Sequence, residues 1–209
     1  MKIIVIGATG TVGRLTVAQL LDQGHEVTAF ARSPEKLEQR SERLRLRAGD
    51  AMNAGAVSEA IAGHDAVVVT LGAGSSRKSR IRSQGTMNVI RAMQEHGVRR
   101  LICQSTLGAH ESWDNLNFFW KRIMFGALLR PVFLDHELQE QLVRASGLDW
   151  TIVRPSAFTD APVAGAIREG FAPQDRQLKL KIRRADVAGF LTRQVQDLRY
   201  LHKAVGLSA

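Results

Sequence analysis

The segment Met1-Lys-Ile-Ile-Val-Ile-Gly-Ala-Thr-Gly-Thr-Val-Gly-Arg14 decides the fold of this chain. Its apolar run from Ile3 to Ile6 is typical of a buried parallel strand, and leucines and valines recur at helical spacing after the glycines. A strand, a glycine turn and a helix in this order form a cradle for a pyrophosphate group, because the first turn of the helix leaves its N–H groups free. An ordinary strand, turn and helix is the alternative. We predict a dinucleotide-binding turn made of Gly7, Thr9, Gly10, Thr11, Val12 and Gly13.

The length and composition are those of an ordinary globular protein. The 209 residues are 44% hydrophobic and 23% charged, which predicts one domain over residues 1–209. Cys103 is the only cysteine, so a disulfide framework is excluded and a reducing, cytoplasmic location is expected. The short apolar run after Lys2 breaks into glycines, so we interpret it as a strand and not as a signal peptide. No run approaches the ~20 apolar residues of a membrane-spanning helix, and stable membrane insertion is not expected.

The net charge of +9 is unusually high. No aromatic residues interleave with the basic ones and no nucleic-acid-binding motif is present, so a nucleic-acid partner is not expected. We interpret most of the basic residues as a solvated surface, with attraction of an anionic ligand as the alternative. The basic residues concerned are Arg40, Arg43, Arg45, Arg47, Arg77, Lys78, Arg80, Arg82, Lys179, Lys181, Arg183 and Arg184.

Strand and helix patterns alternate as far as residue 104. The predicted elements after the first helix are a strand at 26–31, a helix from Pro34 with Ser33 as N-cap, a strand at 44–48, a short helix ending at Gly63, a strand at 65–71 running into a Gly- and Ser-rich loop at 72–76, a long helix ending at 96–97, and a strand at 100–104. Such alternation with short links predicts an α/β fold with a doubly wound parallel sheet.

The second half is less regular and predicts a small, irregular substrate-side portion. An apolar helix is expected at 113–129, interrupted by Pro131, and is followed by a helix at 134–145 and a sixth strand at 149–154 that Pro155 ends. A loop from Gly165 to 177, an exposed strand at 177–182 and a helix at 186–195 complete the chain. The aromatic segment 113–129 follows the fifth strand and should border the site, as a lid or wall, or as core or a dimer face; we favour core or interface.

Ligands of doubly wound sheets bind outside the carboxyl ends of the strands. Candidate residues stand at each such end. We assign the following residues to the cofactor: Arg32, Ser33, Asp50, Ala51, Leu71, Gly72, Ser105 and Pro155.

The end of the second strand favours NADP(H) over NAD(H). An NAD site normally has an acidic residue here to hold the ribose hydroxyls, whereas this chain has Arg32 and Ser33. Arginine pairs with a 2′-phosphate, and Ser33 could donate to the same group. A surface arginine beside an ordinary helix cap is the alternative. Asp50 could accept from the adenine amino group or could simply form a turn.

These motifs resemble the atypical short-chain dehydrogenase/reductases, in the NAD(P)H-binding, NmrA-like group, and most of all members of the flavin reductase and biliverdin reductase B type. The resemblance implies a three-layer α/β/α Rossmann fold and a reductase. It rests on Gly7-Ala-Thr-Gly10-x-Val-Gly13, Ala31-Arg32-Ser33-Pro34-Glu-Lys36, Gly49-Asp50, Gly85-x-x-Asn88, Gly97-Val98, Ser105-Thr106, Asp135-His136, Ser146-Gly147-Leu148-Asp149, Arg154-Pro155 and Arg184-Ala185-Asp186.

The chain departs from the wider superfamily in lacking its Tyr-x-x-x-Lys dyad, in which lysine lowers the tyrosine pKa for proton transfer. Tyr200 is the only tyrosine, and Ala204 stands four residues later; counting back from residues 144–147 puts Val132 and His136 at the dyad positions. The remaining chemistry is hydride transfer to a planar acceptor that needs little acid assistance, such as FMN, FAD, a quinone or a linear tetrapyrrole.

The resemblance implies that Thr106 or Ser105, together with His136, lies beside the nicotinamide and the substrate. Alternatively, Ser105 and Thr106 merely end a strand and His136 lies on a helix surface. Two other functions stay open: a non-catalytic NADP(H) sensor that binds a protein partner, and an epimerase- or dehydratase-like enzyme, which the missing tyrosine weakens. The histidines show no metal-ligand spacing, so no metal is expected. The chain could be a monomer or a homodimer.

Overall fold

The computed structural model describes residues 1–74, 76, 79–161 and 166–209. The predictions made for Ser75, Arg77, Lys78 and Gly165 lie outside these residues. The strands are β1 (Lys2–Ile6), β2 (Glu26–Ala31), β3 (Leu44–Ala48), β4 (Ala66–Val69), β5 (Arg100–Gln104), β6 (Asp149–Pro155), β7 (Ala157–Thr159), β8 (Arg168–Glu169), β9 (Lys181–Arg183) and β10 (Lys203–Ser208). The α-helices are α1 (Gly13–Asp22), α2 (Ala54–Ile61), α3 (Ile81–Glu95), α4 (Arg130–Arg144) and α5 (Arg184–Arg193).

Within these residues eight strands form one sheet in the order β3-β2-β1-β4-β5-β6-β10-β8. All neighbours are parallel except β8, which runs antiparallel to β10. The register aligns the carboxyl ends of the central strands, with Ile6 opposite both Phe30 and Val69. The predicted doubly wound parallel sheet is confirmed, and its strand ends open on one edge.

The sheet is covered on both faces, which explains why β1 and β4 are continuous apolar runs. Helices α1 and α5 pack on one face through residues such as Val17 and Leu191. Helices α2, α3 and α4 pack on the other face through residues such as Ile61 and Met93. The predicted three-layer α/β/α architecture is therefore confirmed. None of the described helices is long and apolar enough to cross a membrane.

The helix predicted from Pro34 is wrong. Only one 3₁₀ turn forms, Pro34–Lys36, and the Ser33 side chain makes no capping hydrogen bond. Leu37 is extended and buried in the core below β2, so the chain leaves the helical path to bury this side chain. The predicted fourth strand at 65–71 is also shorter, Ala66–Val69.

Four predictions in the second half need correction. Helix α4 begins at Arg130 with Pro131 in its first turn, where a missing N–H is tolerated, so Pro131 does not precede the helix. The exposed strand predicted at 177–182 is only β9, because Leu180 has a φ of 55° that breaks an extended run. The sheet also contains β10, which was not predicted, and β8 falls inside the predicted loop. Helix α5 begins at Arg184, two residues before its predicted start.

The aromatic segment differs from the single helix predicted at 113–129. It forms a 3₁₀ helix, His110–Asn115, and a π-helix, Phe119–Leu128, where Leu129 N–H donates to Met124 O at 2.7 Å. Phe125 lies in a third apolar cluster with Leu116 and Phe133, separate from the two sheet cores. π-Helical turns are often found at functional sites.

A buried ion pair joins α4 to β6. Arg154 Nε donates to Glu140 Oε1 at 2.8 Å, and the two side chains are 2% and 0% exposed. Glu111, which is half exposed, contacts the same guanidinium at 3.0 Å. Two opposite charges buried in contact compensate each other, whereas one left alone is strongly destabilising. The pair therefore holds α4 in register with the sheet.

We predict that Glu140→Gln lowers the free energy of unfolding by roughly 3 kcal/mol, because it leaves a buried guanidinium undercompensated. Glu111→Gln removes a partner of the same arginine at the surface and should cost roughly 1 kcal/mol or less. Urea unfolding followed by circular dichroism measures both. Equal losses for the two variants would contradict a structural role specific to Glu140.

Candidate cofactor and active site

One cleft of about 660 Å³ opens at the carboxyl ends of the strands. Its walls come from the glycine turn, the segments after β2 to β6, the start of α3, the aromatic segment and α4. Most of the predicted site residues line it. These are Gly7, Thr9, Gly10, Thr11, Val12, Arg32, Asp50, Ala51, Leu71, Gly72, Ser105, Thr106, His136 and Pro155; Gly13 and Ser33 are not among the lining residues.

Gly13 shapes the turn from behind. A Cβ atom built on Gly13 would lie 2.3 Å from Gly7 O and 2.9 Å from Thr70 Oγ1. Gly7 has a φ of 89°, and Thr70 Oγ1 donates to Ile6 O at 3.2 Å. Any side chain at position 13 would therefore push α1 away from β1. Gly13 serves the close packing of helix on strand and does not itself contact the cleft.

The turn presents free donors to the cleft. Among the described residues, the N–H groups of Thr11 and Val12 at the start of α1 have no acceptor. The first turn of α1 contains no acidic residue that would repel an anion. Free N–H groups at a helix N-terminus and a backbone without side-chain obstruction fit a pyrophosphate group.

Arg32 and Asp50 stand at the β2 and β3 end of the cleft. Arg32 is exposed, and within the described part of the chain it has no hydrogen-bond or ion-pair partner. Asp50 Oδ1 accepts from Met52 N–H at 2.9 Å, so this carboxylate forms a turn while remaining exposed to the cleft. The end of the cleft next to β2 thus offers an available guanidinium.

Unpaired buried polar atoms collect at the ends of β5 and β6. Ser105 N–H donates to Val153 O at 2.7 Å, which fixes the backbone, while Ser105 Oγ is buried without a partner. Gln104 Oε1 and Ser156 Oγ are also buried and unpaired, and both residues line the cleft. Thr106 Oγ1 has only a long contact of 3.4 Å to Leu107 O. Because buried polar groups are normally paired, these atoms mark where a ligand would bond.

His136 is buried against the cleft, so the alternative of a surface position is wrong. Gln139 Nε2 donates to Thr86 Oγ1 at 3.0 Å, which leaves Gln139 Oε1 to accept from His136 Nδ1–H at 3.1 Å. This assigns the proton to Nδ1 and leaves Nε2 as an acceptor. Burial, followed by the charge of Arg82, lowers the pKa of His136 to about 3, while Gln139 opposes the shift. His136 is therefore neutral at physiological pH and cannot donate a proton from Nε2.

Arg82 is a site residue that the sequence did not single out, since it was counted with the surface basic residues. Its side chain is only 12% exposed and lines the cleft. Burial lowers the pKa of the guanidinium, and Asp135 opposes this. No sequence signal distinguishes Arg82 from Arg80, because its burial depends on how α4 packs on α3.

The aromatic segment borders the cleft, as its position after the fifth strand predicted. It forms one wall, whereas the favoured place in the core holds for Phe125, which is buried in the third apolar cluster. Trp120 and Phe125 line the cleft, with ring centroids 5.5 Å apart, and Phe125 stacks on Phe133 at 4.8 Å. Aromatic walls of this kind suit a flat apolar ligand. The opposite side of the segment exposes Phe118, Phe119, Ile123 and Leu128.

Comparison with known proteins decides the family. Over residues 7–198 the chain matches the family described as NAD(P)H-binding. The chain belongs to this NAD(P)H-binding family. The predicted NAD(P)H-binding group is thereby confirmed, and solved structures confirm the predicted fold.

Relatives and solved structures agree with this assignment. The chain is 29% identical over 201 residues to UPF0659 protein YMR090W of Saccharomyces cerevisiae, covering 91% of this chain and 85% of that protein. A short-chain dehydrogenase/reductase from Veillonella parvula in complex with NADP is 18% identical with a TM-score of 0.82, covering 100% of this chain and 94% of the other. ChuY, an anaerobillin reductase from Escherichia coli O157:H7, is 24% identical with a TM-score of 0.80, covering 100% and 97%. These two structures share the fold.

This member of the NAD(P)H-binding family lacks the tyrosine–lysine dyad in space as well as in sequence. Val132 and His136, one turn apart on α4, both line the cleft. Tyr200 is not among the lining residues, and its hydroxyl donates to Glu169 at 3.2 Å. Val132, which is apolar, and His136, which is neutral, thus stand at the two positions where the sequence analysis placed the tyrosine and the lysine of the dyad.

The depressed pKa of His136 makes a prediction about stability. Because the unfolded chain binds a proton near the ordinary pKa of 6.5 and the folded one only near 3, stability falls as the pH falls between these values. When the pH is lowered from about 7 to about 5, the free energy of unfolding should fall in the unchanged chain. In His136→Gln this fall should be smaller by roughly 2 kcal/mol, because no buried histidine is left to take up a proton on unfolding. Urea unfolding at both pH values measures this difference. His96→Gln, at the surface, is the control, and equal pH dependence in all three proteins would refute the assignment.

Proposed function

We propose that the protein is an NADPH-dependent reductase that transfers a hydride to a planar conjugated acceptor, such as a flavin, a quinone or a linear tetrapyrrole. One observation carries the proposal. The same cleft joins a phosphate cradle at the glycine turn to an aromatic wall and a neutral histidine. Among the described lining residues there is no tyrosine, lysine or cysteine to act as proton donor.

The glycine turn, Arg32 and Ser105 would hold the cofactor. The free N–H groups of Thr11 and Val12 face the pyrophosphate position, and Arg32 is available for a 2′-phosphate. No carboxylate stands at the end of β2, where NAD-specific sites hold the ribose hydroxyls. These features favour NADP(H) over NAD(H).

The protein's part in the reaction is binding, orientation and exclusion of water. Bound NADPH supplies the hydride. Ser105 and Thr106 present hydroxyl groups at the end of β5. His136 Nε2 would accept a hydrogen bond from an N–H or O–H group of the substrate that receives the hydride. Since the neutral imidazole donates no proton from Nε2, the proton that accompanies the hydride comes from solvent. Acceptors that delocalise added charge tolerate this arrangement.

A second candidate function is supported by the outer face of the π-helix. Phe118, just before the π-helix, is 73% exposed, more than any other large apolar side chain of the described residues, and Phe119 and Ile123 within the π-helix are exposed as well. Such a patch is typical of a protein-binding surface, as in a redox sensor that binds NADP(H) without turnover. Tight NADPH binding without reduction of any acceptor would favour the sensor.

We predict that the purified protein oxidises NADPH in the presence of FMN, a small naphthoquinone or biliverdin, followed by the loss of nicotinamide absorbance. Thr106→Val and His136→Leu should each lower kcat/KM by about tenfold or more, because each removes a hydrogen bond to the reacting groups. His96→Gln, distant from the cleft, should leave the rate unchanged. If both cleft variants kept full activity, the roles assigned to Thr106 and His136 would be wrong.

We also predict tighter binding of NADPH than of NADH. Replacing Arg32 with Gln should raise the Kd for NADPH by about tenfold and leave the Kd for NADH nearly unchanged, since only the former has a 2′-phosphate. Arg45→Gln, an exposed arginine on β3, is the matched control. Nucleotide fluorescence titration of the unchanged chain and the two variants with NADPH and NADH measures all six dissociation constants. Equal affinity of the unchanged chain for both nucleotides would end this claim.

A further inference from the structure

Arg82 brings a second guanidinium into the cleft, in surroundings unlike those of Arg32. Arg82 Nη1 is buried and has no hydrogen-bond partner in the described part of the chain. Arginine is seldom buried without partners, because its charge and its donors lose hydration. An anionic ligand at this point would accept a hydrogen bond from the unpaired Nη1 and add to the charge compensation that Asp135 provides.

Asp135 forms an ion pair with Arg82 but gives its Nη1 no hydrogen bond. Arg82 Nη1 lies 3.8 Å from Asp135 Oδ2, beyond hydrogen-bond distance. The carboxylate is engaged elsewhere, since it accepts from the backbone N–H groups of Arg82 and Ser83, both at 3.1 Å, and from Ser83 Oγ. Asp135 therefore caps the first turn of α3 and anchors the backbone of Arg82, while the side chain continues into the cleft.

The position of Arg82 assigns it to the acceptor and not to the cofactor phosphates. The start of α3 is tied to α4 by Asp135, and the Arg82 charge acts on His136, the next residue of α4. The phosphate cradle is formed by β1 and α1, and Arg32 follows β2. Of the charged lining residues, Asp50 is the only described acid, and it also belongs to the β3 end. On its α3–α4 side the described lining thus presents a guanidinium, whose charge Asp135 partly balances from behind the cleft.

We propose that Arg82 is a specificity-determining residue that binds an anionic substituent, foremost a carboxylate, on the acceptor. The proposal rests on the reductase function proposed above and narrows its substrate class to planar acceptors that bear such a group. A planar guanidinium fork matches the two oxygens of a carboxylate, and a desolvated charge pair is stronger than an exposed one. His136 Nε2, as an acceptor, provides a neighbouring position for a donor on the ring system.

The test measures binding to the NADP⁺-loaded protein, so that it does not depend on turnover. Ligand binding is followed by quenching of tryptophan fluorescence, since Trp120 lines the cleft. Two matched pairs are compared: a carboxylated naphthoquinone with its methyl ester, and FMN with riboflavin. We expect the anionic member of at least the first pair to bind about tenfold more tightly, and Arg82→Gln to abolish this preference. A preference in the second pair as well would extend the site to phosphate.

Controls separate this proposal from its alternatives. Arg80→Gln removes an exposed arginine two residues away and should keep the preference, and Arg82→Lys should keep part of it. The proposal is overturned if the unchanged chain binds both members of each pair equally or binds none, if the preference survives in Arg82→Gln, or if that variant loses NADP⁺ affinity instead. If no acceptor were turned over, only the reductase function would be refuted. The preference of Arg82 for an anionic ligand is measured by binding and does not depend on turnover.

Discussion

The close contact of Gly13 with the carbonyl of Gly7 is the constraint on which the cleft depends. At this point β1, the start of α1 and Thr70 at the end of β4 meet without a side chain between them. Because α1 approaches so closely, its free N–H groups stand at the sheet edge where the other strand ends also arrive. The glycine turn and the aromatic wall thus line one cleft, as the proposed hydride transfer would require.

The elements that the sequence predicted well are those whose environment is the same along their whole length. β2 and β5 have the predicted bounds because each lies between two parallel neighbours and is buried over most of its length. The errors occur where a distant contact outweighs local preference. Leu37 is drawn into the core beside β2, so Ser33 and Pro34 start only a single turn; β10 is a strand because β6 offers it a parallel edge.

The same distinction holds within the site. Parallel strands end together, so residues such as Asp50 and Ser105 could be placed at one edge from sequence order alone. The protonation state of a side chain could not be predicted from sequence order, because it depends on burial. His136 is neutral because it is buried and because the charge of Arg82 lowers its pKa further. Arg82 lies on α3, a different helix from that of His136. Arg82 in turn looks like any surface arginine until Asp135 of α4 caps its helix.

The two arginines of the cleft differ in the strength of recognition that each can provide. Arg32 is exposed, so water and salt screen its attraction for a phosphate, and it can bias cofactor choice only modestly. Arg82 is nearly enclosed, and in the described part of the chain its Nη1 is buried without a hydrogen-bond partner, although Asp135 lies 3.8 Å away. A site with buried unpaired donors rejects ligands that cannot bond them far more strongly than it rewards those that can. Because His136 Nε2 is also fixed as a hydrogen-bond acceptor, the proposed site would select its substrate by negative charge and by the position of a hydrogen-bond donor.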